Sequence, residues 1–530
     1  MQIANAETLP LNIVGSSVFG RYPKISAEHT YNMFMTDGWL VNYAGYQLIT
    51  DFSGEPQGRG LFHSVRGGFM LAVVGSNVYR IGANLGPILI GNLATSRNEV
   101  YIDENLNSQI CIVDGFQAYI YSYLTGELAP QTLTYTNDLG TFTVVPGYVC
   151  YHNTFFLIAS APTSQFPQNW YVFQPDAISL NAIDFVTQLA LQTKPDNALA
   201  VVRLPGRGNY VLVLGSTVAE LYNNVGGTLN YQRAQSFNID SGTVSVATIA
   251  ASDEFVAWIG QNEKSSPTLI ISDGNSAKHI STDGISHLLQ TIQHPDQSTA
   301  FFFRQDGHLF YQFTFYNPVD NLTMTYDVND DKFYDITDEN EDFHPARQVA
   351  YFNLNTYFIS LNDSGLYQMG TQFISYNYNA SPLLQGFEIP RIRIPSTIRM
   401  EDSSPFRVGE LRFGIEQGVT DYVTISETCV GELITESGHH KIVTEQGFNI
   451  LEESGYCFTG DIAPRVDMSF SKNGNQSFSN IVSKDLNPQA QFRNILRWTR
   501  MGHCNEFTSQ FRFHGFQRFV VRDGVIQVYT

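Results

Sequence analysis

Asp327, Asn329 and Asp331 place side-chain oxygens at alternate positions of Asp327-Val328-Asn329-Asp330-Asp331-Lys332. That spacing matches the first half of a calcium loop. Lys332 stands where such a loop needs its turn glycine, and Asp338 where it needs a bidentate glutamate. The run therefore reads first as an acidic turn between the strand-like segments 322–326 and 332–334, and no metal is assigned. The stretch from Asp330 to Asp342 carries seven carboxylates, Asp330, Asp331, Asp335, Asp338, Glu339, Glu341 and Asp342, against one lysine. Such a run is ordinarily a solvated loop, and its functional alternative is an electronegative rim on a pore. His439 and His440 are adjacent, so on a strand they point to opposite faces and do not share an ion. Arg493, Arg497 and Arg500 flank Trp498. They could hold a phosphate or a partner carboxylate, although arginine stems on an exposed strand face are the more ordinary arrangement.

The chain has no G-x-S-x-G elbow, phosphate-binding glycine loop, dinucleotide fingerprint or H-E-x-x-H pair. Carboxylate pairs are too frequent here to single out a glycosidase couple. Ser471-Lys472-Asn473-Gly474-Asn475-Gln476-Ser477-Phe478 resembles, in degenerate form, the Ser-x-Asp-x-Gly-x-Thr-Trp box of sialidase-like propellers. That box staples a turn and does no chemistry. No catalytic residue and no cofactor is expected, and the chain reads as a non-enzyme. The five cysteines, Cys111, Cys150, Cys429, Cys457 and Cys504, are odd in number and widely spaced, as free thiols of a reducing compartment are. The N-terminus lacks the basic and apolar regions of a secretory signal, and no apolar run reaches a membrane span. A soluble protein assembled in a cytosol-like compartment is expected.

The elements that carry these side chains are overwhelmingly strands. The 28 Tyr, 38 Phe and 42 Gly sit among short runs of Val, Ile and Thr. One unit recurs. Phe69–Val74, Gly75-Ser76-Asn77 and Val78–Ile81 repeat as Tyr210–Leu214, Gly215-Ser216-Thr217 and Val218–Tyr222. Looser copies begin near Gln109, Asn153, Glu254, His308 and Thr356. Spacings of about 40–57 residues match four-stranded propeller blades, whose faces are buried only by radial stacking. The expectation is an all-β chain: a β-propeller of six or seven blades over 59–375, preceded by an extended segment, 1–58. A β-sandwich-like module follows over 376–530, with an insertion at about 415–462. Only short helices are expected, at Asn181–Leu191 and after Thr282.

Charge is uneven. Of a net −20, residues 1–390 hold 34 acidic and 15 basic side chains, while 391–530 hold 16 and 15. Residues 463–530 alone carry nine basic and four acidic groups. An acidic body does not grip DNA, but DNA can pass it without sticking.

Several stretches, in order, resemble one family: the packaged-DNA stabilisation proteins of short-tailed phages, which form the tail hub or nozzle. They are Leu9–Ser16 with Thr30–Phe34, Arg59–Phe62, Val74–Tyr79, Asn181–Phe185, Lys194-Pro195-Asp196, Leu214–Tyr222, Ala257–Gly260, His279–Ile285, Phe413–Gly418, Ser469–Phe478 and Leu496–Gly502. Two features depart from the family pattern. Ala44-Gly45-Tyr46 replaces a Pro-Gly, and 419–462 is longer, which weakens transfer of any fibre- or spike-docking surface. The resemblance implies a structural virion protein of the tail, assembled in the host cytoplasm. It would form a homo-hexamer below the portal-adaptor ring, retain packaged DNA and line its exit channel without sequence-specific binding. It would also carry tailspike, fibre or needle proteins. The other reading the sequence permits is a glycan-binding or glycan-cleaving propeller.

Overall fold

The computed structural model describes residues 6–20, 28–52, 54–137, 140–173, 188–226, 230–380, 386–417, 431–432, 451–452, 464–475, 477–486 and 493–529. Seven four-stranded units follow one another, spanning 58–92, 101–131, 146–190, 200–239, 242–279, 298–335 and 346–370. They are numbered here as blades one to seven. Blade seven has only three strands from its own span. Its fourth is Gly45–Asp51, which pairs antiparallel with Gly365–Gly370. The ring is thus closed by a strand from before blade one, which removes the free edge that a linear stack would leave.

Each blade buries apolar side chains from both faces against its neighbours. Seven separate cores result, one between each successive pair. Met70, Ala72 and Val74 of blade one meet Phe352, Tyr357 and Ile359 of blade seven, so the last core closes the circle. Trp258 of blade five packs on Val202 and Leu212 of blade four. The closing approach is tight: a Cβ on Gly58 would fall within contact distance of Ile359, so only glycine fits there.

One departure from the sequence reading has a simple cause. Of the expected helix at Asn181–Leu191, residues 181–187 lie outside the described residues. Gln188–Ala190 is instead a strand, paired with Asn169–Val172 so that Leu189 faces Trp170. Ladder bonds to a buried neighbour override a helical spacing of apolar residues. The second helix is present as Asp283–Thr291, with the Thr282 hydroxyl accepting from the Ile285 N–H as an N-cap.

The C-terminal module is two sheets over one core that includes Phe413, Trp498, Phe511 and Phe513. One sheet orders Met33–Thr36, Trp39–Asn42, Phe519–Tyr529, Phe406–Gln417 and Arg493–Cys504, with Ala6–Leu11 also pairing Phe519–Tyr529. Ile415–Gln417 belong to the long strand, and most of the expected insertion lies outside the described residues. The second sheet contains Arg391–Ile394, Glu506–His514, Arg465–Ser471 and Val482–Asp485. It does not stop at the module. His29–Tyr31 pairs with Arg391–Ile394 on one side and, parallel, with blade six's outer strand Lys332–Asp335 on the other. One ten-stranded sheet therefore runs from the propeller into the C-terminal module.

Tyr46 is the hub of the closing strand. It is fully buried, stacks on Tyr376 at 4.4 Å, and meets Phe358 and Tyr367 edge-on at 5.3 and 5.4 Å. Truncating a buried aromatic of this kind costs about 3–5 kcal/mol. Tyr46→Ala should lower the denaturation midpoint sharply. Limited proteolysis should then show blade seven opening before the other blades.

Candidate functional site

The carboxylates singled out by sequence do not form one loop. The strand Lys332–Asp335 separates them into two groups at its opposite ends. At the first end Asp330 and Asp331 are exposed. Asp331 accepts from the Tyr326 hydroxyl at 2.7 Å and lies 3.6 Å from Lys278. At the second end the carboxylates turn inward. Asp335 is buried, accepting from the Ser17 hydroxyl at 2.7 Å and facing His29 Nδ1 at 3.1 Å. Asp338 is buried and accepts the backbone N–H groups of Asn340 and Asp342, both at 2.8 Å. Burial raises its pKa, and those two bonds oppose part of the rise. Glu339 accepts from the Tyr378 hydroxyl at 2.7 Å, and Tyr378 in turn meets the Tyr46 hydroxyl at 2.6 Å. Glu341 pairs with Arg512 of the C-terminal module, and Asp342 accepts from Asn321. Five of the seven thus brace blade six, its neighbour and the module seam.

The calcium-like turn is similarly committed. Asp327 is buried, bonded to His308 Nδ1 at 2.7 Å and to the Asn329 N–H at 2.9 Å. Burial raises its pKa, and His308 opposes the rise. Asn329 accepts from the Leu309 N–H at 2.9 Å. His308, Asp327 and Asp330 could offer three ligand atoms within 4.8 Å of one another. His308 is nevertheless engaged on both ring nitrogens, with Thr36 Oγ1 3.1 Å from Nε2. The group reads as a hydrogen-bonded turn.

The side chain that organises the seam was not identified from sequence. Arg393 is completely buried. Its Nε donates to the Ile13 carbonyl at 2.7 Å, and Nη1 to the Ser16 carbonyl and Thr30 Oγ1 at 3.1 and 3.2 Å. Nη2 donates to the Asn12 carbonyl at 3.1 Å and the Glu28 carboxylate at 2.6 Å. Burial lowers its pKa, while Glu28 raises it. The planar five-donor fork is what lets one cation gather so many acceptors. Gly15 makes room, because a Cβ there would collide with the guanidinium. Asn32 acts beside it. Held at φ 54°, it donates to Thr337 Oγ1 and the Pro390 carbonyl, both at 2.8 Å, and accepts from the Thr337 N–H at 2.9 Å. Arg391, whose pKa burial pushes down to about 10, donates to the Gly515 carbonyl at 3.1 Å. A cleft of about 390 Å³ opens on this seam between Glu339, Arg391, Arg512 and His514.

Within the blades the same use of charge repeats. Arg59 is buried and donates to the carbonyls of Gly75, Thr95, Arg97 and Asn98, tying blade one to the loop that leads into blade two. Asp196 accepts from Ser216 Oγ at 2.6 Å and the Thr217 N–H at 2.7 Å. Buried Glu220 accepts from the Thr193 N–H at 2.6 Å and the Tyr222 hydroxyl at 2.9 Å. The Ser471 box is a stapled turn, with Ser471 Oγ accepting from the Asn475 N–H and Asn473 Oδ1 from the Ser477 N–H. His439 and His440 lie outside the described residues. Cys111, Cys150 and Cys504 are free and buried, and burial raises all three thiol pKa values.

Comparison with known families matches residues 21–329 to the phage stabilisation family, described as Bacteriophage P22 Gp10, beta-propeller. The chain belongs to this phage stabilisation family. It is therefore a structural phage protein and a virion component. Among curated proteins no relative matches. Solved structures with the propeller fold include virginiamycin B lyase from Staphylococcus aureus, at 10% identity and TM-score 0.42, covering 62% of this chain and 99% of that one. They also include the WD40 propeller of Doa1, at 11% identity and TM-score 0.38, covering 62% and 98%. The family match takes in Asn32, Arg59, Asp196 and Glu220, whose common role here is to staple strands. Arg393 lies beyond the matched span.

Removing one partner of a buried, multiply bonded charge costs about 3–5 kcal/mol. Arg393→Met should lower the melting temperature more than any exposed arginine substitution. Arg393→Lys should not restore it, because an ammonium cannot span the Asn12, Ile13, Ser16 and Glu28 acceptors. His344 gives a second test. It is fully buried, accepts from Gln312 Nε2 and the Ala346 N–H at Nδ1, and burial lowers its pKa to about 3. The folded state keeps it neutral, while the unfolded chain takes a proton near pH 6.5. Its contribution is present above that pH and falls by up to about 1.4 kcal/mol per unit as pH drops toward 3. Denaturation across pH 7 to 4 should show a steeper loss for the wild type than for His344→Asn.

Proposed function

We propose that this chain is the subunit of a phage tail nozzle. It forms a homo-hexameric ring below the portal and its adaptor, retains the packaged DNA and lines the exit channel. Tailspike, fibre or needle proteins attach to its outer surfaces. It works as a rigid body assembled in the host cytoplasm, without a catalytic centre. The observation that carries this reading is the ten-stranded sheet joining propeller to C-terminal module, locked by Arg393. A subunit that holds DNA under pressure must transmit force without hinging, and a shared sheet with a buried staple does so.

The charge distribution supports the channel role. With 34 acidic and 15 basic side chains in residues 1–390, the part of the chain that includes the propeller repels phosphate. At physiological ionic strength that repulsion decays over about 8 Å, so it acts only on DNA passing close to the wall. Of the seven carboxylates between 330 and 342, Asp330, Asp331, Glu341 and Asp342 are exposed, and these are the members available to such a wall. The strand Lys332–Asp335 separates 330–331 from 341–342, so the two pairs are alternative members of such a wall.

Native mass measurement of the chain with its adaptor-bound portal should give six copies. A chain that remains monomeric and never joins that assembly contradicts the proposal. Particles carrying Asp330→Lys with Asp331→Lys should release DNA more slowly, more so at low salt, if that end lines the channel. Release at the wild-type rate, with slowing in Asp342→Lys instead, would move the wall to the other end of the strand.

A further inference from the structure

The outer face of the sheet that contains Phe406–Gln417 is strongly cationic in an otherwise acidic protein. Alternation in Phe406–Gln417 and Arg493–Cys504 sends Phe413, Ile415, Leu496 and Trp498 into the core. The opposite face carries Arg412 directly across from Arg497, Gly414 across from Ile495, and Glu416 across from Arg493. Arg407 and Arg522 belong to the same face, Arg522 lying 4.0 Å from the centre of the Trp39 ring. Four of these five guanidiniums share two carboxylates. Glu410 lies 3.9 and 3.8 Å from Arg412 and Arg497, and Glu416 lies 3.2 and 2.7 Å from Arg493 and Arg522. A like-charged pair directly across two strands is unfavourable in the free protein, and each carboxylate is divided between two cations. In the middle stands Ile495, 71% exposed beside the glycine gap at 414.

The composition is that of an interface. All five cations are arginine, which is enriched at protein contacts where lysine is depleted, and they surround one apolar anchor. The strand Arg493–Cys504 is also the edge of its sheet among the described residues. We propose that this face docks on the acidic propeller of a second copy of the chain. Charge complementarity selects that partner. Residues 1–390 hold 34 acidic and 15 basic groups, whereas residues 391–417 and 464–530, which carry the two sheet strands, hold 14 basic and eight acidic. The cationic face cannot pair with itself across a twofold axis. The contact is therefore heterologous, the kind that builds a ring when its rotation closes and an open filament when it does not. This rests on the ring reading above and adds which surfaces meet.

The test uses the full-length chain with its adaptor-bound portal. A photo-crosslinking amino acid replaces Ile495, and in parallel the charge-reversed R412E/R497E protein is made. The expected result is crosslinks from position 495 to propeller peptides of another copy. Ring assembly by R412E/R497E should weaken by about tenfold or more, with the melting temperature of the free chain lowered only slightly, because both residues face solvent. Wild-type assembly should weaken steeply with added salt. Crosslinks from 495 to the chain's own residues or to DNA overturn the assignment, and so do rings of R412E/R497E that form as readily as wild type. A wild-type chain that stays monomeric overturns the nozzle reading itself, whereas wild-type rings crosslinked through other surfaces overturn only this face.

Discussion

The buried guanidinium of Arg393 is the interaction on which the rest of the architecture depends. Its acceptors come from residues 12 to 30, and the arginine itself sits on a strand more than 360 positions later. By holding the early segment against Arg391–Ile394, it fixes the pairing of His29–Tyr31. That strand also completes the connection to blade six. Asn32 then turns the chain, at a positive φ, toward the hairpin and the closing strand Gly45–Asp51. Ring closure and module docking are therefore one constraint, satisfied by one stretch of backbone. A buried cation is costly alone and acceptable only when every donor finds an acceptor, so this arrangement either forms completely or fails.

The same logic explains why the chain is rich in candidates for chemistry and yet reads as a scaffold. Asp196, Glu220, Asp335 and Asp338 all accept hydrogen bonds from the chain itself, most of them to backbone or hydroxyl groups at turns and seams. Such groups hold loops in one conformation, which suits a subunit whose role is mechanical. The charge left over is on the surface, negative on the propeller and positive on the outer sheet of the C-terminal module.

The repeat of strand, Gly-Ser turn and strand made the propeller legible, because the local pattern and the buried faces agree. Blade count was not fixed, for reasons the structure makes plain. Blade seven takes its last strand from residues 45–51, and blade five splits its first strand into Gly242–Thr243 and Ala250–Ala251. An extra hairpin, Thr134–Asn137 with Gly140–Thr143, also stands between blades two and three. Each breaks the period without changing the ring. The carboxylates of 330–342 were legible as a group, but not their division by Lys332–Asp335, since local composition does not say which side chains meet a distant hydroxyl. Arg393 left only a faint trace: an arginine alternating with isoleucines in Arg391-Ile392-Arg393-Ile394, a pattern equally suited to a half-exposed strand.

The account stands on this chain being a rigid subunit of a ring on the DNA exit path. A cryo-EM map of the phage tail tests that most directly. The account predicts six copies coaxial with the portal, each with its propeller and C-terminal module in the fixed relation set by the ten-stranded sheet. A map in which the chain is a single copy off the axis, or in which the two modules hinge apart between subunits, would contradict it.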